Sequence, residues 1–148
     1  MLGIIKLFHI IFSSVWFASA FFTSKDLRVT LEKGSPHTEL LKGRVNSVSK
    51  MNLISGIFTI ITGIGLIFAL GGFAAVPKAI HTSLLLTIIV LVIDLAVLNG
   101  IWNKIESIIN KNESLEEAQK LSKKYSMFLG IEHLLRTIIL VLMVLKPF

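Results

Sequence analysis

Leu2-Gly3-Ile4-Ile5-Lys6-Leu7-Phe8-His9-Ile10-Ile11-Phe12-Ser13-Ser14-Val15-Trp16-Phe17-Ala18-Ser19-Ala20-Phe21-Phe22 decides the fold class. The stretch is long and apolar enough to cross a bilayer, yet His9 stands one to two turns inside its start. An imidazole facing lipid is costly, so His9 is expected to turn toward the protein interior. Helical spacing places Ser13, Trp16 and Ala20 below His9 on one face. Two readings of that face are open: a tight contact with another helix, or a flat-walled site for a porphyrin with His9 as its ligand. Lys6, the short apolar run and Ala18-Ser19-Ala20 also mimic a signal peptide. The run is broken by His9 and continues through Phe21 and Phe22, so the segment is read as retained.

The rest of the chain repeats the pattern. With 148 residues, 53% of them hydrophobic, and a mean hydropathy of +0.79, the composition fits one small membrane bundle and excludes a soluble enzyme domain. Three more spans are expected at about residues 51–73, 79–102 and 127–145, beside the first at 2–22. Backbone groups in hydrocarbon must bond internally, so all four are helices. The expected fold is an all-α, integral-membrane four-helix bundle, up-down-up-down, as one domain over residues 1–148. There is no cysteine, which excludes disulfides, iron–sulfur clusters and thiolate metal sites. The net charge of +6 sits between the apolar spans, so its expected partner is anionic lipid and not nucleic acid.

Lysine and arginine set the expected orientation. Lys25, Arg28, Lys33, Lys42, Arg44 and Lys50 follow the first span, and Lys104, Lys111, Lys120, Lys123 and Lys124 follow the third. The other side has Lys6, Lys78 and Lys146. The positive-inside rule puts both basic loops (residues 23–50 and 103–126) in the cytoplasm and both termini outside, in what is expected to be a prokaryotic plasma membrane. These loops should be partly helical. Ser35-Pro36 is a helix start, from which a helix could run into the second span. Ser114-Leu115-Glu116-Glu117 reads as a capping box opening a helix that continues into the fourth. Lys111-Asn112-Glu113 is the intervening tip.

Polar residues inside the spans are the candidate functional groups. At about 1.5 Å per residue, His9 lies some 10 Å and His81 roughly 5 Å from the outer ends of their helices. Two imidazoles on facing helices can hold a haem edge-on, with Lys6 and Lys78 placed for its propionates. Otherwise His81 simply faces headgroups and water. His133 belongs to the opposite end, where Glu132 and Arg136 form an i,i+4 pair. Arg136 matches Asp94 in depth, so an Asp94–Arg136 contact is expected, with Asn52 and Asn99 nearby. This cluster reads either as a proton path or polar substrate site, or as a buried salt bridge fixing helix register. Asp94 lies about 140° around its helix from His81, so both point inward only if neighbours embrace that helix on two sides or the chain oligomerises. Asn52, Gly56, Thr59 and Gly63 share a face in the second span, with Gly65 adjacent. That stripe suits close packing, room for a macrocycle, or a homodimer contact. His37 reads as a solvated loop residue. Hydrolase, phosphate-loop and dinucleotide fingerprints are absent.

Lys6-Leu7-Phe8-His9-Ile10-Ile11, Trp16-Phe17-Ala18 and the terminal Val144-Leu145-Lys146-Pro147-Phe148 resemble the CopD/HemJ-like small membrane proteins, which include HemJ-type protoporphyrinogen oxidases. The resemblance implies a four-span protein binding b-type haem, with His9 matching the family's first-helix histidine. HemJ-type chains carry a lysine early in the third helix, where this chain has Ser83 below His81 and Lys78. Their last helix opens with Asn-Glu and a proline, where this one reads Gly130-Ile131-Glu132-His133. The expected function is electron transfer, or haem-linked oxidation of a membrane-associated substrate, with a redox partner or quinone. Protoporphyrinogen oxidation is one alternative, and a cofactor-free binding or structural protein is the other.

Overall fold

A computed structural model describes residues 2–19, 21, 23–34, 37–111 and 114–145. The Ser35-Pro36 helix start, the Asn112-Glu113 tip, Ala20, Phe22 and the end from Lys146 lie outside these residues. Among the described residues helix is the only regular secondary structure, and no strand forms. Helix α1 spans Leu2–Ser19, α2 Thr23–Lys33, α3 His37–Ala69, α4 Lys78–Ile93, α5 Asn99–Asn110 and α6 Leu115–Leu145. A single π-helical turn, Asp94–Leu98, joins α4 to α5, so the third long helix runs unbroken over Lys78–Asn110. Four helices are therefore long and apolar enough to cross a membrane. Each of the four expected stretches falls largely on one of these helices, which end at Ser19, Ala69, Asn110 and Leu145.

The second and fourth of these helices do extend through the basic loops, as expected. Ser114 is the N-cap of α6, although its Oγ accepts the N–H of Glu116 at 3.3 Å, where the capping-box pattern predicts that of Glu117. His37 is exposed at the start of α3. Helix α2 is not foreseen in the sequence reading. Its signal is Thr23, Leu27, Thr30 and Leu31, all buried at three- and four-residue spacing, with Gly34 at φ 69 closing the turn.

Packing is uneven along the bundle. At the basic end α2, α3, α5 and α6 enclose a core built around Leu27, Leu41, Val45, Ile105, Ala118 and Leu129. Toward the other end the buried apolar cluster shrinks to Trp16, Val90 and Ile139. There α1 packs chiefly on α3, and α4 on α6. A seam is left between the two pairs.

Small residues bring α1 and α3 together. A methyl group on Gly56 would lie 2.6 Å from Leu91 Cδ2 and 2.9 Å from Trp16 Nε1, and one on Gly63 would lie 3.3 Å from His9 Cε1. Of the readings open for the glycine stripe, close packing within one chain is the one these contacts support. The rings of His9 and Trp16 occupy the space that the glycines leave.

Candidate functional site

The seam holds two cavities. The first, about 330 Å³, is lined by Lys6 and His9 of α1, Thr59 and Gly63 of α3, Thr87 of α4 and Met143 of α6. The second, about 270 Å³, takes Ser13, Trp16, Arg136 and Ile139, and shares Thr59 and Met143 with the first. Both have mainly apolar walls and are of small-ligand size.

His9 is held by α3. Its Nδ1 lies 3.0 Å from Thr62 Oγ1, and that hydroxyl donates to Phe58 O at 2.6 Å. A hydroxyl whose proton is already given can only accept from the ring. Nδ1 therefore carries the hydrogen, and Nε2 keeps the lone pair. This second-helix bond orients the ring as metal-bound histidines are usually oriented.

The other expected haem residues divide. Lys6 lines the first cavity beside His9. Ser13 spends its hydroxyl on the carbonyl of His9, 2.6 Å away, so it offers no hydrogen to a ligand. Trp16 lies under the guanidinium of Arg136, 4.5 Å from ring centroid to Cζ. His81 is exposed and absent from the cavity walls, which Ile80 and Leu84 of the same helix line instead. Its Nε2 meets Phe73 O at 2.9 Å, because the Gly71-Gly72 turn, at φ 108 and 91, folds the Phe73 carbonyl back over α4. His9 and His81 are thus not brought together, and Lys78 is exposed away from the cavity. The angular tension between His81 and Asp94 resolves simply: Asp94 is buried and His81 is outside.

The inner cluster is real but wired differently from the expectation. Arg136 Nη2 pairs with Glu132 Oε2 at 3.0 Å, both side chains fully enclosed, and Nη1 donates to the Trp16 carbonyl. Asp94 takes its hydrogen bond from Asn52 Nδ2, and Asn52 Oδ1 accepts from Ser19 Oγ at 2.8 Å. The direct partner of Arg136 is therefore Glu132, with Asp94 an electrostatic neighbour. The reason is reach: Glu132 stands one turn below Arg136 on the same face, whereas Asn52 comes between α4 and α1. Asn99 accepts instead from Ser49 at 3.2 Å. His133 lies against Phe21, 4.1 Å between centroids with the rings tilted by 43°, and near Phe17.

Neither sequence reasoning on histidines nor the resemblance pointed to Thr62 or Met143. Thr62 stands three residues from Thr59 and one before Gly63, on the flank of the small-residue face, which is the signal that it could meet α1. Among the described residues no three histidine or carboxylate side chains converge as a metal site. No protein-family model, curated protein or solved structure matches the chain.

Proposed function

We propose that the chain is an integral membrane protein of the CopD/HemJ-like kind that holds haem b in the seam, with His9 as the iron ligand. Its helices cross up-down-up-down, and the basic loops face the cytoplasm. The observation that carries the haem reading is the Thr62 bond, which leaves the lone pair on Nε2 of a histidine that lines an apolar, ligand-sized cavity. The donors present suit the group, but neither cavity alone is as large as a tetrapyrrole, so haem has to span both, past the Thr59 and Met143 that they share. Thioether and imidazole donors (Met143 and His9) line one cavity, and Lys6 on its wall is a cation of the kind that carboxylates seek; Arg136 is already committed to Glu132 and the Trp16 carbonyl. His81 has no part in this site.

Bound there, haem supplies one-electron redox chemistry, and an electron carrier or an oxidase of a lipid-soluble substrate follows from it. The chain's own work is to orient the imidazole through Thr62, keep water out with the apolar walls of α3, α4 and α6, and offer Lys6 to a carboxylate. A redox protein or a quinone would be its partner.

An absorption spectrum tests this. Protein purified from haem-replete cells should show a Soret band that is lost or shifted in His9→Ala and kept in His81→Ala. A colourless protein, or a band indifferent to His9→Ala, rejects the assignment. The competing reading is a cofactor-free bundle, favoured by the fit of the His9 ring onto Gly63. It predicts a colourless protein in which His9→Ala lowers only thermal stability. If haem is present, anaerobic incubation with protoporphyrinogen separates an oxidase from a plain carrier.

A further inference from the structure

Two grooves open at the basic end of the bundle, and their charge balance differs. One, about 790 Å³, is bordered by Asp26, Glu39 and Arg44. It neutralises itself, because Arg44 Nη2 sits 2.9 Å from Asp26 Oδ1 and Glu39 is bound to Lys42 at 2.8 Å. The other, about 580 Å³, runs between α2 and α6 and brings together Lys25, Arg28 and Lys123 with Gln119 and Ser126. Glu32 is the one carboxylate on its wall. It meets Arg28 only through Nε, at 3.4 Å, so the bond leaves the guanidinium's terminal nitrogens for a ligand. Two positive charges remain in excess among the described lining residues.

The three cations come from helices distant in sequence. Burial of Leu27 and Leu31 against the core fixes the opposite face of α2 outward, and burial of Ala118 and Tyr125 does the same for α6. The groove also adjoins apolar surface. Met127 follows Lys123 by one turn of α6 and is 56% exposed, and Val29 beside Arg28 is 39% exposed. A cationic groove with hydrophobic flanks, where an apolar helix emerges into a basic loop, matches a ligand that is anionic at one end and oily at the other.

We propose that the α2–α6 groove binds the phosphate of an anionic phospholipid headgroup, held by Lys25, Arg28 and Lys123, with an acyl chain lying along Met127. The proposal rests on the helices crossing a bilayer and is independent of haem. Phosphate suits these donors because its oxygens accept from the planar guanidinium and from ammonium groups at once.

The test uses the full chain in detergent, with bound lipid counted by native mass spectrometry while phosphatidylglycerol or phosphatidylcholine is titrated in. Wild type should retain phosphatidylglycerol selectively. K25Q/R28Q/K123Q should weaken that binding about tenfold or more, since each cation near an anionic surface contributes roughly a fivefold factor. The equal-charge control K33Q/K50Q/K104Q should change it less than about threefold. Equal losses in the two triple variants, or equal retention of the two lipids, overturn the proposal in favour of diffuse attraction. Inorganic phosphate supplies the third arm. If phosphate alone shields Lys25 and Lys123 from acetylation as well as the lipid does, the ligand is a soluble phosphate and the lipid assignment fails. Protein that stays in the membrane pellet after alkaline carbonate extraction but shows no lipid selectivity refutes the groove and leaves the membrane reading standing, whereas protein released into the supernatant refutes both.

Discussion

At Gly56 the structure leaves no room for even one carbon, with Leu91 and Trp16 pressing from two helices. Gly56→Ala should therefore cost about 1–3 kcal/mol through overpacking, read as a lowered melting temperature in detergent. Gly63→Ala should cost less, because its 3.3 Å neighbour is an imidazole that can tilt. Gly130→Ala meets nothing within 4 Å and should be neutral or slightly stabilising through helix propensity. A different ranking would mean that α1 does not lie on α3 as described. The enclosed pair gives a second residue-scale prediction. Arg136→Met alone should destabilise by about 3–5 kcal/mol by stranding Glu132 in the interior, and the double variant with Glu132→Leu should recover much of that loss. Thermal unfolding of the single and double variants closes the cycle. The Glu132–Arg136 pairing was legible in sequence because i,i+4 geometry is local. The partner of Asp94 was not: Asn52 stands 42 positions away, and depth matching alone cannot tell one polar neighbour from another.

The π turn at Asp94–Leu98 governs the third long helix. On an uninterrupted α-helix, Ala79 and Ile105 would face about 80° apart, at about 100° per residue. One residue absorbed by the turn, with Asn99 N–H bonded to Asp94 O, leaves them about 20° apart. Both are fully buried. Deleting Ala96, which is exposed inside the turn, should heal the helix while keeping Trp102 and Ile105 on the core. Deleting exposed Ile88 in α4 should instead misplace the residues between it and the turn and destabilise far more. Compared melting temperatures decide, and equal effects would count against the turn as the register-setting element. Hydropathy located this helix correctly but carried no trace of the extra residue, since an apolar run reads the same whichever way its side chains turn. Helix α2 was missed for the opposite reason. Its hydrophobic face is short and set among charges, so averaging over the segment hides it.

Across the whole molecule, large apolar side chains stand exposed along all four long helices, among them Ile4, Leu7, Ile61, Leu85 and Leu134. Surface of that extent needs a hydrocarbon solvent, so the protein should stay in the membrane pellet after alkaline carbonate extraction; release into the supernatant would remove the membrane reading. The all-helical make-up and the four long apolar helices could be read directly because length and hydropathy are written into each segment. The seam could not, because a void is set by how helices pair, and nothing in one span announces which neighbour it will choose. Firm packing at the basic end and slack packing at the other give the bundle the mechanics of a clothes-peg, with its spring among α2, α5 and α6 and its jaws at His9 and Met143. With the helices set in a bilayer as proposed, lateral pressure from lipid would bear on those jaws, and bilayer thickness and stiffness would set how wide they stand and how readily a guest slips in sideways.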